Sequence, residues 1–201
     1  ELGRRLRDYQ FDFRQLVRDI CNSHGYQRSV VRNASNAGDE RNYAHANARR
    51  IRAEMLLDCL GQVTDTREKF RGLPLGARAV QIADGPTSSY FLTTFGRARR
   101  DTVCVAEVST DPSLSQALHM LNGHTVTGKI AEGGLIGRLL SAGQTPAEVI
   151  ESLYIRALTR RPTPDETRQL VALVNQAESP ERGLQDVFWA VLNSREFVFN
   201  H

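Results

Sequence analysis

The residues best suited to chemistry lie at 45–52, where His45 precedes Arg49, Arg50 and Arg52. Guanidinium groups offer rigid forks of N–H donors, so three together can clamp a carboxylate, a phosphate or an acidic partner surface. With Asp101 further along, His45, Arg49, Arg50 and Arg52 form the candidate anion- or partner-binding set. A structural account competes with this one and takes precedence. Arg50 stands four residues before Glu54, the spacing of an ion pair within a helix, worth only a few tenths of a kcal/mol. The other arginines can anchor the preceding segment through Asp39 and Glu40.

Other constellations are weaker. Cys21 and His24 are three apart, and His119 and His124 five apart, so neither pair has the i, i+4 helical spacing of a zinc site. No Cys-x-x-Cys-His haem attachment and no Gly-x-Ser-x-Gly nucleophile elbow occur. Gly133-Gly134 and Gly137 lack the strand and spacing of a phosphate loop and are expected to bracket a short helix at about 134–142. Asp165 and Glu166 are already explained by a helix N-terminus. No catalytic residue, metal or cofactor is therefore assigned.

The elements that must position these groups follow from composition and periodicity. The 201 residues suit one domain; they are 40% hydrophobic and 24% charged, an ordinary globular balance. The net charge of +3 is too mild to imply nucleic acid. Its distribution is uneven, with 18 basic and 13 acidic residues in 1–110 against 8 and 10 in 111–201. Lys69 and Lys129 are the only lysines among 26 basic residues, a bias we ascribe first to genomic composition. No apolar run approaches the roughly 20 residues of a membrane span. Cys21, Cys59 and Cys104 are too few and too widely spaced for a disulfide framework.

Helix starts are signposted in the second half. Thr145-Pro146-Ala147-Glu148 and Thr163-Pro164-Asp165-Glu166 each combine an N-cap, a proline at the first helical position and a capping-box Glu. Ser179-Pro180-Glu181 and Asp111-Pro112-Ser113 are weaker versions. Apolar stripes of helical period follow, as at Val149, Ile150, Leu153 and Tyr154, and at Leu184, Val187, Phe188, Val191 and Leu192. The first half predicts helices at about 12–23 and 46–62, separated and followed by long ordered loops at about 26–44 and 64–110. Within the second loop, the alternation at 79–82 suits a short strand that has no sheet to join. The expected fold is all-α: one irregular helical bundle, loop-rich over 1–110 and bundled over 111–201. Because the first residue is not Met, the chain is expected to be the C-terminal part of a larger protein.

Four segments carry a family resemblance: Asn42-Tyr43-Ala44-His45 with Arg49 through Asp58; Phe95-Gly96-Arg97 with Arg100-Asp101; Ser113 through Asn122; and Trp189 through Phe197. Together, from about residue 10 to the end, they resemble a planctomycete-specific domain of unknown function. That domain follows cytochrome-c-like segments in large secreted proteins. The resemblance implies an upstream companion domain in the same polypeptide, an extracytoplasmic setting and a link to protein or electron-transfer partners; it brings no catalytic residue. Many members carry Cys-x-Cys-Glu-Arg where this chain reads Cys104-Val105-Ala106-Glu107-Val108, so a metal or redox role there is not implied. The favoured function is a non-enzymatic interaction or scaffolding domain, with Phe197 and Phe199 as buried anchors of a docking turn. The rival is an enzyme half-site completed by the upstream domain, using His45, Arg49, Arg50, Asp101 or Cys104. Nucleic-acid binding through the Arg-rich half ranks last.

Overall fold

Two threonines show how the chain commits to helices. In the computed structural model, the Thr145 and Thr163 hydroxyls each accept from a backbone N–H three residues on, while Glu148 and Glu166 reach back to the cap N–H at 2.7 Å. These reciprocal bonds satisfy donors that a helix start leaves orphaned. They launch α8 (Pro146–Leu158) and α9 (Pro164–Gln176), and Ser179 caps α10 (Pro180–Leu192) by accepting from Arg182 N–H without a reciprocal carboxylate. The structure describes the chain except residues 40, 84, 86, 88, 99–112, 123 and 201.

The chain divides into two compact units, Glu1–Arg49 and Arg50–Asn200. The first holds α1 (Leu2–Asp8) and α2 (Phe13–Cys21), followed by turns and extended segments up to residue 49. Asp12 caps α2 by accepting from the Arg14 and Gln15 N–H groups, and the Tyr9 hydroxyl donates to Asp19 across the pair. In the long loop, Asp39 accepts from the backbone N–H groups of Arg41, Asn42 and Ala44, which pull its carboxyl down to about 2. Asx turns at Asp39 thus organise the loop locally, and Glu40 lies outside the described residues.

In the second unit, α3 (Ala53–Thr64) packs against a 3-10 turn (Ala79–Gln81), α4 (Tyr90–Thr94) and α6 (His124–Gly133). The short α5 (Leu114–Asn122), α7 (Leu135–Ser141) and α11 (Arg195–Val198) complete it. At the centre, α10 touches α6, α7, α8, α9 and α11, burying Leu184, Val187, Phe188, Val191 and Leu192. Each fully buried side chain of this kind contributes about 1.5–3 kcal/mol. Among the described residues no helix is long and apolar enough to cross a membrane.

The all-α expectation holds, with corrections. Residues 46–52 are not helical: α3 begins at Ala53, because Ile51 N–H donates to Val198 O at 3.0 Å and Arg50 forms a β-bridge with Phe199. The backbone there is used laterally. The stretch 64–110 contains the 3-10 turn and α4 rather than loop alone, and the suggested strand at 79–82 is that turn. Its start is pinned by Asp58, whose carboxylate accepts from Ala79 N–H at 2.6 Å. Phe197 is buried as expected, whereas Phe199 is half-exposed.

Two features carry stability predictions. A Cβ built on Gly133 would lie 1.7 Å from the Thr64 carbonyl oxygen, so α6 meets the end of α3 with no room for a side chain. Gly133→Ala should lower stability by about 3 kcal/mol or more, read by thermal unfolding. The second feature is Arg160, whose fork donates to Glu196 at 2.7 and 2.8 Å and to Glu166 at 2.9 Å twice. It ties the α8–α9 corner to α11. Arg160 and the Thr163 N–H hold the Glu166 carboxyl at about 2, against 4.5 for the free group. A depressed carboxylate stabilises the fold above its unfolded value, and that contribution drains as pH falls from about 4.5 towards 2. Because the three side chains are about a third exposed, screening limits Arg160→Met to a loss of about 1–2 kcal/mol at neutral pH. The acid limb of its stability curve should also be shallower.

Candidate functional site

Where α5, the α10–α11 corner and the Arg50 bridge meet, the second unit opens a cleft of about 480 Å³, within the size range of small-ligand sites. One wall is α5, through Gln116, Ala117, Met120 and Leu121. The opposite wall is the turn after α10, through Asn193, Ser194, Arg195, Val198 and Phe199. Phe95 and Arg50 close the remaining side.

Each wall has a local cause. Phe95 is the C-cap of α4 and stacks on Phe91 with centroids 4.3 Å apart. His119 presents its ring edgewise to both, and its Nε2 lies 2.9 Å from the Thr125 hydroxyl. Burial pushes the His119 imidazole below its ordinary value, which favours the neutral ring among aromatics. Gln116 fastens α5 to α4 by donating from Nε2 to the Thr94 carbonyl at 3.1 Å. Ser194 caps α11, accepting from Phe197 N–H at 3.2 Å, and Asn193 donates to Trp189 O at 2.8 Å.

Arg50 organises the third side. Its guanidinium donates to Phe95 O at 2.9 Å and to Ile51 O at 3.1 Å, and lies 5.3 Å from the Phe95 ring centroid. The residue is only 6% exposed, and burial lowers its basicity. The expected helical pair with Glu54 does not form, because Arg50 precedes the helix. Glu54 instead lies 3.6 Å from Arg97, which also donates to the carbonyls of Ile82 and Gly85.

The candidate residues fall in both units, and each is placed within its own. Arg50 lines the cleft; Arg52 is exposed at the N-cap of α3 and makes no side-chain cap bond. His45 and Arg49 belong to the first unit, where His45 is buried with Nδ1 3.0 Å from Ala46 O. Asp101 and Cys104 lie outside the described residues. Among the described residues no group of three His, Cys, Asp or Glu side chains could hold a metal ion. Sequence reasoning passed over Gln116, Met120, Asn193 and Arg195 as cleft residues. Met120 reads as core, and the rest sit at a helix end or in a turn where capping explains them.

The arrangement defines a helical bundle whose described cleft is apolar and edged by cations. The chain belongs to the family described as PSD1, a protein of unknown function (DUF1553), whose model matches residues 1–174. That match begins at residue 1 and ends before Trp189–Phe197, so it covers three of the four segments that carried the resemblance. No curated protein and no solved structure matches the chain. Each of the four segments nonetheless places a residue on the cleft wall: Arg50, Phe95, Gln116 and Arg195 among them.

Arg50 should be the most sensitive wall residue. Arg50→Met leaves the Phe95 carbonyl without its donor and removes the ring contact, for a loss of about 2–4 kcal/mol in denaturant titration. Arg50→Lys keeps a charge but not the fork, and should recover only part of that loss.

Proposed function

We propose that this chain is a non-enzymatic interaction domain of an exported, planctomycete-type protein that works beside cytochrome-c-like segments. On this reading the cleft receives a segment of that companion. The observation that carries it is the composition of the described wall. Its only ionisable side chains are Arg50 and Arg195, with no carboxylate, imidazole, thiol or amine beside them. General acid–base chemistry needs a group that gains and loses protons near neutrality, and arginine does not. The two described wall serines are engaged as cap acceptors, Ser113 from Gln116 N–H and Ser194 from Phe197 N–H, and no base stands among the described wall residues to activate them. An apolar cleft with a cation at its edge suits recognition of an apolar segment bearing negative charge. The resemblance in four ordered segments supports the exported setting and the companion.

Calorimetric titration of the chain with a separately expressed cytochrome-c-like segment tests this reading. Saturable binding is expected, weakened roughly tenfold or more by Ala117→Trp, which fills the cleft from an exposed position and should leave the melting temperature unchanged. Absence of binding overturns it. So does turnover of any substrate by the mixture that the same substitution abolishes.

A further inference from the structure

The first unit lacks what a domain of its length usually has. Of its 49 residues, His45 is the only one among those described that is buried, and no apolar side chain is. Its strongest pattern is α2, where Phe13, Leu16, Val17 and Ile20 fall at i, i+3, i+4 and i+7 along one helix face. Within the unit, among the described residues, the face is covered only in part: Leu16 and Ile20 are half-buried, while Phe13 is 65% and Val17 53% exposed. Phe11, in the turn before α2 at φ 65°, is 70% exposed, and Leu2 of α1 is 52% exposed.

Arginines flank this apolar set. Arg14 and Arg18 follow each other by one helical turn beside the Phe13–Val17 stripe, and α1 adds Arg4 and Arg7; all four are exposed. None of them forms an ion pair with a described residue, whereas Arg5 is paired with Glu1 and Asp19. The unit carries nine arginines against six acidic residues.

We infer that the first unit docks on an anionic lipid surface, with Phe11, Phe13 and Val17 entering the headgroup boundary and Arg14 and Arg18 meeting lipid phosphates. Charge complementarity selects the sign of the occupant. The placement of the apolar groups selects its kind, since they project from a turn, a helix face and a second helix rather than from a single line. A protein groove takes one line of anchors in matching sockets. The headgroup boundary accepts bulky side chains at differing depths without sockets. A second copy would set like-charged arginines against each other across a twofold axis.

Vesicle sedimentation tests the inference, using the whole chain with phosphatidylcholine vesicles that do or do not contain about 30% phosphatidylglycerol, enough to give a negative surface. Binding is expected only with the anionic vesicles, and high salt should weaken it. The double variant Arg14→Gln/Arg18→Gln should lose roughly tenfold or more in partitioning. Phe13→Ser/Val17→Ser should lose at least as much, with the helical circular dichroism of both variants unchanged because the replaced side chains are exposed. Equal binding to neutral and anionic vesicles, no binding to either, or binding indifferent to both variants overturns the inference. A dimer in sedimentation velocity that Phe13→Ser/Val17→Ser dissolves also overturns it, since the face then pairs with another protein surface.

Discussion

The second unit depends on the burial of one helix. Leu184, Val187, Phe188, Val191 and Leu192 take α10 out of water along a broad stripe, and five other helices owe their positions to it. Close approach is part of the same constraint. A Cβ on Gly183 would lie 2.8 Å from Val174 Cα, so α9 reaches α10 only because that position has no side chain. Once α10 is seated, the turn at Asn193 and Ser194 and the short α11 hang from its end, and the cleft wall is placed as a consequence. The wall contributed by that turn therefore follows from the burial of α10, while contacts of Arg50 with Phe95 and Phe199 close the other side.

How much of this was legible varied with the kind of signal. The starts of α8, α9 and α10 were readable because a capping threonine or serine, a proline and an acidic residue lie within four positions, and every part of the device is local. The helix expected from residue 46 failed for a non-local reason. Nothing near Arg50 announces that its backbone bridges to Phe199, or that Ile51 donates to Val198. The helix α6 went unread because His124-Thr125-Val126-Thr127-Gly128 mixes β-branched residues and glycine, and its inner face rests on Val126 and Ile130 alone. The helix α4 is five residues long and too brief for a period to show.

The site was less legible than the fold, and the reason is chemical. An apolar cleft is written in the same letters as a core, so Met120 carries the same signal as Leu153 although one faces an opening and the other is fully buried. Arg50 did stand out, yet its partner was misread. The sequence offers Glu54 at helical spacing, while the folded chain offers the Phe95 carbonyl 45 positions away, which no local rule finds.

That misreading points to a general role for arginine here. Arg50 serves the carbonyls of Ile51 and Phe95; Arg97 those of Ile82 and Gly85; Arg138 that of Gly133; and Arg156 that of Gln62, near the end of α3. Helix ends and irregular segments leave carbonyl oxygens with no partner in their own element, and a buried orphan costs about 1–3 kcal/mol. A guanidinium carries five donors in a plane and can satisfy two or three such oxygens at once, whereas an ammonium is a compact point charge. A chain with long irregular stretches between 22 and 52 and between 65 and 89 accumulates many of these oxygens. The arginine bias that composition alone attributes to the genome thus acquires a local structural use. Within the densest charged run of the sequence, at 49–52, Arg50 is put to this use.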